Sequence, residues 1–172
     1  NNNAYCQDNE LTWFDWSATD QELLTFTRQL IAFLKAHPAF RRQRFLAGAA
    51  AAAELGWFTP AGTAMTGADW SDPSALALAI YLDGSDQPDR AGDGSPMIDD
   101  DFLVLVNAWW QPLDFTVPAT RDGLTWHTTI DTYDPAKPAT AAPLHAGDRT
   151  TVNPRSITVL CGPLVAADAR PA

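Results

Sequence analysis

The chain has 172 residues, 46% of them hydrophobic and only 19% charged, with a formal net charge of −10. This composition supports a packed core and excludes a disordered chain. The acidic balance excludes nucleic acid and anionic membrane as natural partners, since both need clustered Lys and Arg, and no apolar run reaches the ~18 residues of a membrane span.

The first stretch is NNNAYCQDNELTWFDW, residues 1–16. Chain termini are normally polar and poor in aromatics, yet Tyr5, Trp13, Phe14 and Trp16 stand here among Asp8, Glu10 and Asp15. The density predicts a packed functional loop in a protein that begins further upstream. Amides, carboxylates and a phenol can pair with sugar hydroxyls, and aromatic faces can cover a pyranose. Asp8 and Glu10 offer two carboxylates of the kind glycoside hydrolysis requires, although spacing alone sets no distance between them. The same residues could equally brace neighbouring loops.

TDQELLTFTRQLIAFLKAH (19–37) predicts a helix. Thr19 and Glu22 have capping-box spacing, Leu23, Phe26, Leu30, Phe33 and Leu34 recur on one face expected to be buried, and Pro38 ends the run. The basic run Arg41-Arg42-Gln43-Arg44 is expected to complement the helix C-terminus. An alanine-rich link follows. SALALAIYLDG (74–84) alternates with period two and predicts a strand, and 84–100 reads as a long, mobile polar loop. DFLVLVNAWW (101–110), LDFTVP (113–118), LTWHTTIDTY (124–133) and RSITVLCG (155–162) predict further strands with no helix between them. Such an order implies a mainly β domain, an antiparallel sandwich, after one amphipathic helix. Either the sandwich or an upstream part must receive the helix. Most of the seven tryptophans are expected to fill the sandwich core.

Residues that could carry chemistry are sparse. His37, His127 and His145 have no metal-ligand spacing, and Asp99-Asp100-Asp101 lacks the pattern of a calcium loop, so it reads as a solvated turn before a strand. GxSxG, GxGxxG and the P-loop pattern do not occur. Cys6 and Cys161 make no disulfide framework and are expected to be free thiols in a reducing compartment. No catalytic residue and no metal ligand is assigned.

The opening segment resembles the stretch after the eighth barrel strand in bacterial glycogen debranching enzymes of the isoamylase type, in the α-amylase superfamily. The likeness continues in order. LIAFLKAHPAFRRQRFL is similar to the last barrel helix and its exit. WFTPAGTAMTGADWSDPSALALAIYLDG resembles a Trp-containing strand, a Gly turn, an Asp-Trp pair and a Leu-rich strand. DDDFLVLVNAWWQPLDFTVP, TWHTTIDT and RSITVLCGP resemble the family's later strands. AGAAAAAELG is longer than the family's usual link, and Trp109-Trp110 stands where many relatives carry histidines.

The resemblance implies residues 1–45 as the end of a catalytic (β/α)8 barrel, its last loop and helix, and 46–172 as a C-terminal β-sandwich. A whole barrel needs about 250 residues, and the family's three catalytic carboxylates precede the segment that opens this chain. The expected function is therefore a share in a retaining glycoside hydrolase that cleaves α-1,6 branches of glycogen or limit dextrin, in the cytoplasm, with this chain alone inactive. A glucan and the upstream barrel are its implied partners, and no cofactor is implied. Asn2, Asn3, Tyr5, Gln7 and Asp8 are the expected substrate-binding or cleft-bracing residues. The alternative is a non-catalytic β-sandwich acting as a glucan-binding or structural module.

Overall fold

A computed structural model describes residues 5–10, 12–42, 55–85, 90–136 and 142–164. The expected helix is α1, Gln21–Ala36. Its cap differs from the expected box: Thr19 Oγ1 donates to the Trp16 carbonyl at 2.8 Å, and Asp20 Oδ1 instead accepts from the backbone N–H groups of Glu22 and Leu23, both at 3.0 Å. Asp20 brings a charge to the positive end of the helix dipole, which a threonine cannot. At the other end α1 stops at His37, before Pro38. Arg41 Nη2 donates to the Lys35 carbonyl at 3.0 Å, as the basic run suggested, whereas Arg42 Nη2 reaches the Asp83 carbonyl at 2.7 Å. Gln43, Arg44 and most of the alanine-rich link lie outside the described residues.

Among the described residues seven strands follow: β1 Leu55–Phe58, β2 Ala77–Leu82, β3 Asp101–Asn107, β4 Leu113–Thr116, β5 His127–Asp131, β6 Arg149–Val152 and β7 Ser156–Gly162. A short helix, α2 at Gly67–Ser71, sits between β1 and β2, closed by a capping box of Thr66 and Asp69. One sheet has the order β1-β2-β3-β7-β5, and β4 and β6 form a two-stranded ribbon. Every pairing is antiparallel. All five expected strands are present. The residue pattern missed two: β1, which only the family resemblance suggested, and β6, whose RTTV holds only one fully buried residue, Val152.

The ribbon covers one face of the sheet. Ala79, Tyr81, Leu103, Leu105 and Leu160 meet Phe115, Val117, Val152 and Trp126 there. The sheet's other face carries Leu82, Phe102 and Val159, covered by Ala39 with Phe33 and Phe40. β3 and β7 are therefore buried on both sides, which is why they read as continuous apolar runs rather than alternations. Each side chain of the size of Phe102 or Leu103 contributes about 1.5–3 kcal/mol by its burial.

What receives the helix is answered only in part, and the expectation for the tryptophans needs correction. The apolar face of α1 is not buried along its length. Phe33 packs edge-on against Phe102 with ring centroids 5.6 Å apart, but Leu23 is 60%, Ile31 49% and Leu34 42% exposed. The sheet receives only the last turns of the helix. Nor do most tryptophans fill the core: Trp126 alone is fully buried, Trp57 and Trp109 are partly buried, and Trp13, Trp16, Trp70 and Trp110 are exposed. The space between sheet and ribbon is already filled by aliphatic residues, Phe115 and one indole.

Candidate functional site

The opening segment is held by its own short-range bonds. Tyr5 and Cys6 both take left-handed backbone geometry, φ 48° and 59°, uncommon for residues other than Gly and Asn. Thr12 Oγ1 donates to the carbonyls of Gln7 at 3.0 Å and Asn9 at 2.9 Å. The Trp13 indole N–H donates to Asp8 Oδ1 at 2.5 Å. Asp15 caps the single turn Trp16–Ala18, and its carboxyl is held below the usual carboxylate range by bonds from the Ser17 hydroxyl and N–H.

Of the expected site residues, Asn2 and Asn3 lie outside the described residues. Tyr5, Gln7 and Asp8 stand together on this exposed segment. The Gln7 side chain is free to face a ligand by its exposure, its backbone carbonyl being the part that braces the loop. Asp8 is exposed and braces the loop, one carboxylate oxygen fixing Trp13. Trp13 and the Phe14–Trp16 pair, edge-to-face at 4.8 Å, add exposed aromatic surface beside them. The segment suits a polyhydroxylated ligand or a neighbouring protein surface.

The most connected polar residues lie elsewhere, in the aspartate triplet at the start of β3. They are not a solvated turn. Asp101 is fully buried and Asp99 nearly so. Asp99 Oδ1 lies 2.8 Å from His37 Nδ1, and Oδ2 accepts from the Ala39 N–H at 3.0 Å. Asp100 accepts from Cys161 Sγ at 3.4 Å and from the Leu164 N–H at 3.0 Å. Asp101 accepts from Tyr81 Oη at 2.7 Å and the Gly84 N–H at 2.9 Å. Arg121 Nη2 approaches Asp101 Oδ2 at 2.7 Å as an ion pair without good hydrogen-bond alignment.

Three consecutive carboxylates thus clamp three different parts of the chain: the end of α1, the end of β7, and β2 with the loop after β4. Burial pushes the Asp101 carboxyl above its ordinary value, against the lowering effect of Tyr81 and the Gly84 N–H. Burial first, then the charge and bond of Asp100, raise the Cys161 thiol to about 12, so it is no nucleophile. His37, Asp99 and Asp100 bring possible metal-ligand atoms within 4.8 Å of one another. Their oxygens are, however, already engaged by His37, Ala39, Cys161 and Leu164, which makes the cluster a structural junction. Only His37 and the triplet's acidity were visible in the sequence. Its partners stand up to 64 residues away, beyond any local signal.

A cleft of about 240 Å³ opens next to this junction, lined in part by Pro118, Arg121, Leu124, Trp126 and His145. Arg121, the cation in it, is committed to Asp101.

Comparison with known proteins shows what this β domain and the segment before it are similar to. The family described as "Isoamylase, C-terminal" matches residues 54–161. A glycogen operon protein GlgX homolog of Mycobacterium tuberculosis is 35% identical over 167 residues, covering 93% of this chain and 23% of that protein. An isoamylase of Pseudomonas amyloderamosa is 31% identical over 164 residues, covering 94% of this chain and 18% of its own length. The chain thus spans about a fifth of the length of these relatives. Among solved structures, a pullulanase from Anoxybacillus, complexed with maltotetraose, shares the fold with a TM-score of 0.50 at 16% identity, over 87% of this chain and 17% of its own.

Proposed function

The chain belongs to the isoamylase C-terminal family, and from that membership we propose that it is the C-terminal part of a glycogen debranching enzyme hydrolysing α-1,6 branch linkages in glycogen or limit dextrin. The observation that carries the reading is the family match over 54–161, continued upstream by the relative that covers 93% of this chain. Residues 1–45 are the last loop and helix of the catalytic barrel, and 46–172 the C-terminal β domain. The reaction is retaining, through a covalent glycosyl intermediate, and because the catalytic carboxylates lie in the barrel, outside this chain, this chain alone is inactive. The enzyme works in the cytoplasm. Among the described residues no helix is long and apolar enough to cross a membrane.

Asn2, Asn3, Tyr5, Gln7 and Asp8 form one wall of the glucan cleft. The Asp8–Trp13 bond supports this reading, because it stiffens a loop whose aromatic and amide groups remain exposed. The open stripe of Leu23, Ile31 and Leu34 supports a barrel as the surface that covers α1. The β domain braces that helix through Phe33, His37 and Ala39.

The test is to express the longer protein that contains this chain, and the 172-residue chain by itself, and to incubate each with limit dextrin. The longer protein should release linear oligosaccharides with the anomeric configuration retained, and the chain alone should release none. In the longer protein, Tyr5→Ala and Asp8→Ala should raise KM. A longer protein that leaves the branches intact, or a native protein whose mass is only 18.7 kDa, overturns the proposal.

A further inference from the structure

We propose that Trp109 and Trp110 form a built platform for a neutral α-glucan chain, a second place where this protein holds polysaccharide; the choice of ligand rests on the glucan reading above. Consecutive residues of a strand point to opposite faces. β3 ends at Asn107, however, so that alternation does not bind the two indoles beyond it. They stack with ring centroids 3.8 Å apart and planes 23° from parallel. Trp109 covers one face of Trp110, and Trp110 is still 58% exposed.

The turn beneath them is pinned. The buried Asn107 donates through Nδ2 to the carbonyls of Gln111 at 2.9 Å, Val152 at 3.1 Å and Asn153 at 3.0 Å. Its Oδ1 accepts from the Trp109 N–H at 2.9 Å. The Arg155 N–H donates to the Trp109 carbonyl at 2.9 Å, and the Ala108 N–H to the Leu76 carbonyl at 2.9 Å. β2, β6 and the turn before β7 therefore all fix the backbone that carries the pair. A flat aromatic face already immobilised loses little conformational freedom on binding.

The chemistry selects the ligand. The apolar C–H face of a pyranose matches an open indole face, and exposed Gln111 and Arg155 on the same turns supply hydrogen-bond donors to hydroxyls. A single arginine on a protein of net charge −10 does not favour an anionic polymer. A linear, uncharged glucan can lay one pyranose on the open face of Trp110 and run on past the stacked pair.

Affinity electrophoresis of the chain in gels containing glycogen, with maltohexaose titration followed by tryptophan fluorescence, tests the platform. Trp110→Ala should weaken binding by roughly three- to tenfold, Trp110→Tyr should keep most of it, and Trp70→Ala should bind like the unsubstituted chain. Thermal midpoints unchanged by these exposed substitutions exclude misfolding as the cause. Equal retardation of Trp110→Ala and the unsubstituted chain overturns the platform and leaves the glucan reading standing. No retardation of any form also overturns it, while limit-dextrin cleavage by the longer protein decides that reading separately. Self-association abolished by Trp110→Ala, without retention by glycogen, would make the pair a contact between copies and overturn the proposal as well.

Discussion

Tyr81 Oη donates to Asp101 Oδ2 across 2.7 Å, between two buried residues of β2 and β3. Tyr81 pairs in register with Leu103, so the two are diagonal neighbours on the face turned to the ribbon, within reach only because the tyrosine is long. Removing the hydroxyl leaves Asp101 its Gly84 and Arg121 contacts. Removing the carboxylate strands a phenol, a backbone N–H and a guanidinium together. Tyr81→Phe should therefore cost about 1–3 kcal/mol and Asp101→Ala about 3–5 kcal/mol, read from urea unfolding. Equal losses would show that the ion pair with Arg121 contributes nothing.

The same aspartate has a pH signature. Its native affinity for a proton is raised, chiefly by burial, so between the ordinary aspartate value and the native one the folded state binds more protons than the unfolded state. Stability from this group is then fully present below about pH 4 and declines as pH rises through the native value. Asp101→Asn removes the titration. The stability difference between the unsubstituted chain and Asp101→Asn should shrink as pH is raised from about 4 toward neutrality. A difference that grows instead would mean that the attraction of Arg121 outweighs burial.

Gly84 lies under the aspartate triplet, where a Cβ would come 1.9 Å from the Asp100 carbonyl oxygen and 2.4 Å from that of Asp99. Both are backbone atoms, so no side chain can swing aside. Gly84→Ala should destabilise by about 3 kcal/mol or more. Gly92→Ala, where a Cβ meets nothing within 4 Å, should be nearly neutral. Comparable thermal midpoints for the two variants would show that the turn shifts without cost.

The stripe of Leu23, Ile31 and Leu34 on α1 makes the isolated chain sticky. It should bind a hydrophobic dye or self-associate, and Leu23→Glu with Ile31→Glu should abolish that behaviour. Unfolding by urea should move little, because these side chains are exposed rather than packed. An unsubstituted chain that is dye-silent and strictly monomeric in sedimentation would show that the stripe finds cover within the chain.

Local physics explains what was legible in the residues alone. Helix α1 announced itself by apolar spacing and by Pro38, and β3 and β7 by runs of β-branched and aromatic residues between turn signals, since each of these depends on neighbours within one element. The order of elements, strands without intervening helices, carried the antiparallel arrangement, and the residue motifs pointed to the family. The polar strand β6 stayed hidden because its pairing with β4, not its own hydrophobicity, makes it a strand. The capping residue of α1 moved from Thr19 to Asp20 because the preceding turn claimed the threonine.

Tertiary structure alone decided the rest. Asp-Asp-Asp reads as solvated wherever it is met, since three adjacent carboxylates repel and hydrate strongly. Here Asp99 and Asp101 are buried and Asp100 half-buried, because β3 carries them to where β2, β7, the end of α1 and the Arg121 loop supply donors from distant parts of the chain. The tryptophans show the converse. Apolar character alone predicts burial, but one sheet face and one ribbon enclose a fixed volume, and once Trp126 and the aliphatic residues fill it the remaining large indoles stay at the surface. Sequence determines which segments become strands and helices through interactions within a few residues; which polar groups find partners, and which aromatic faces stay open, depends on packing between segments far apart in the chain.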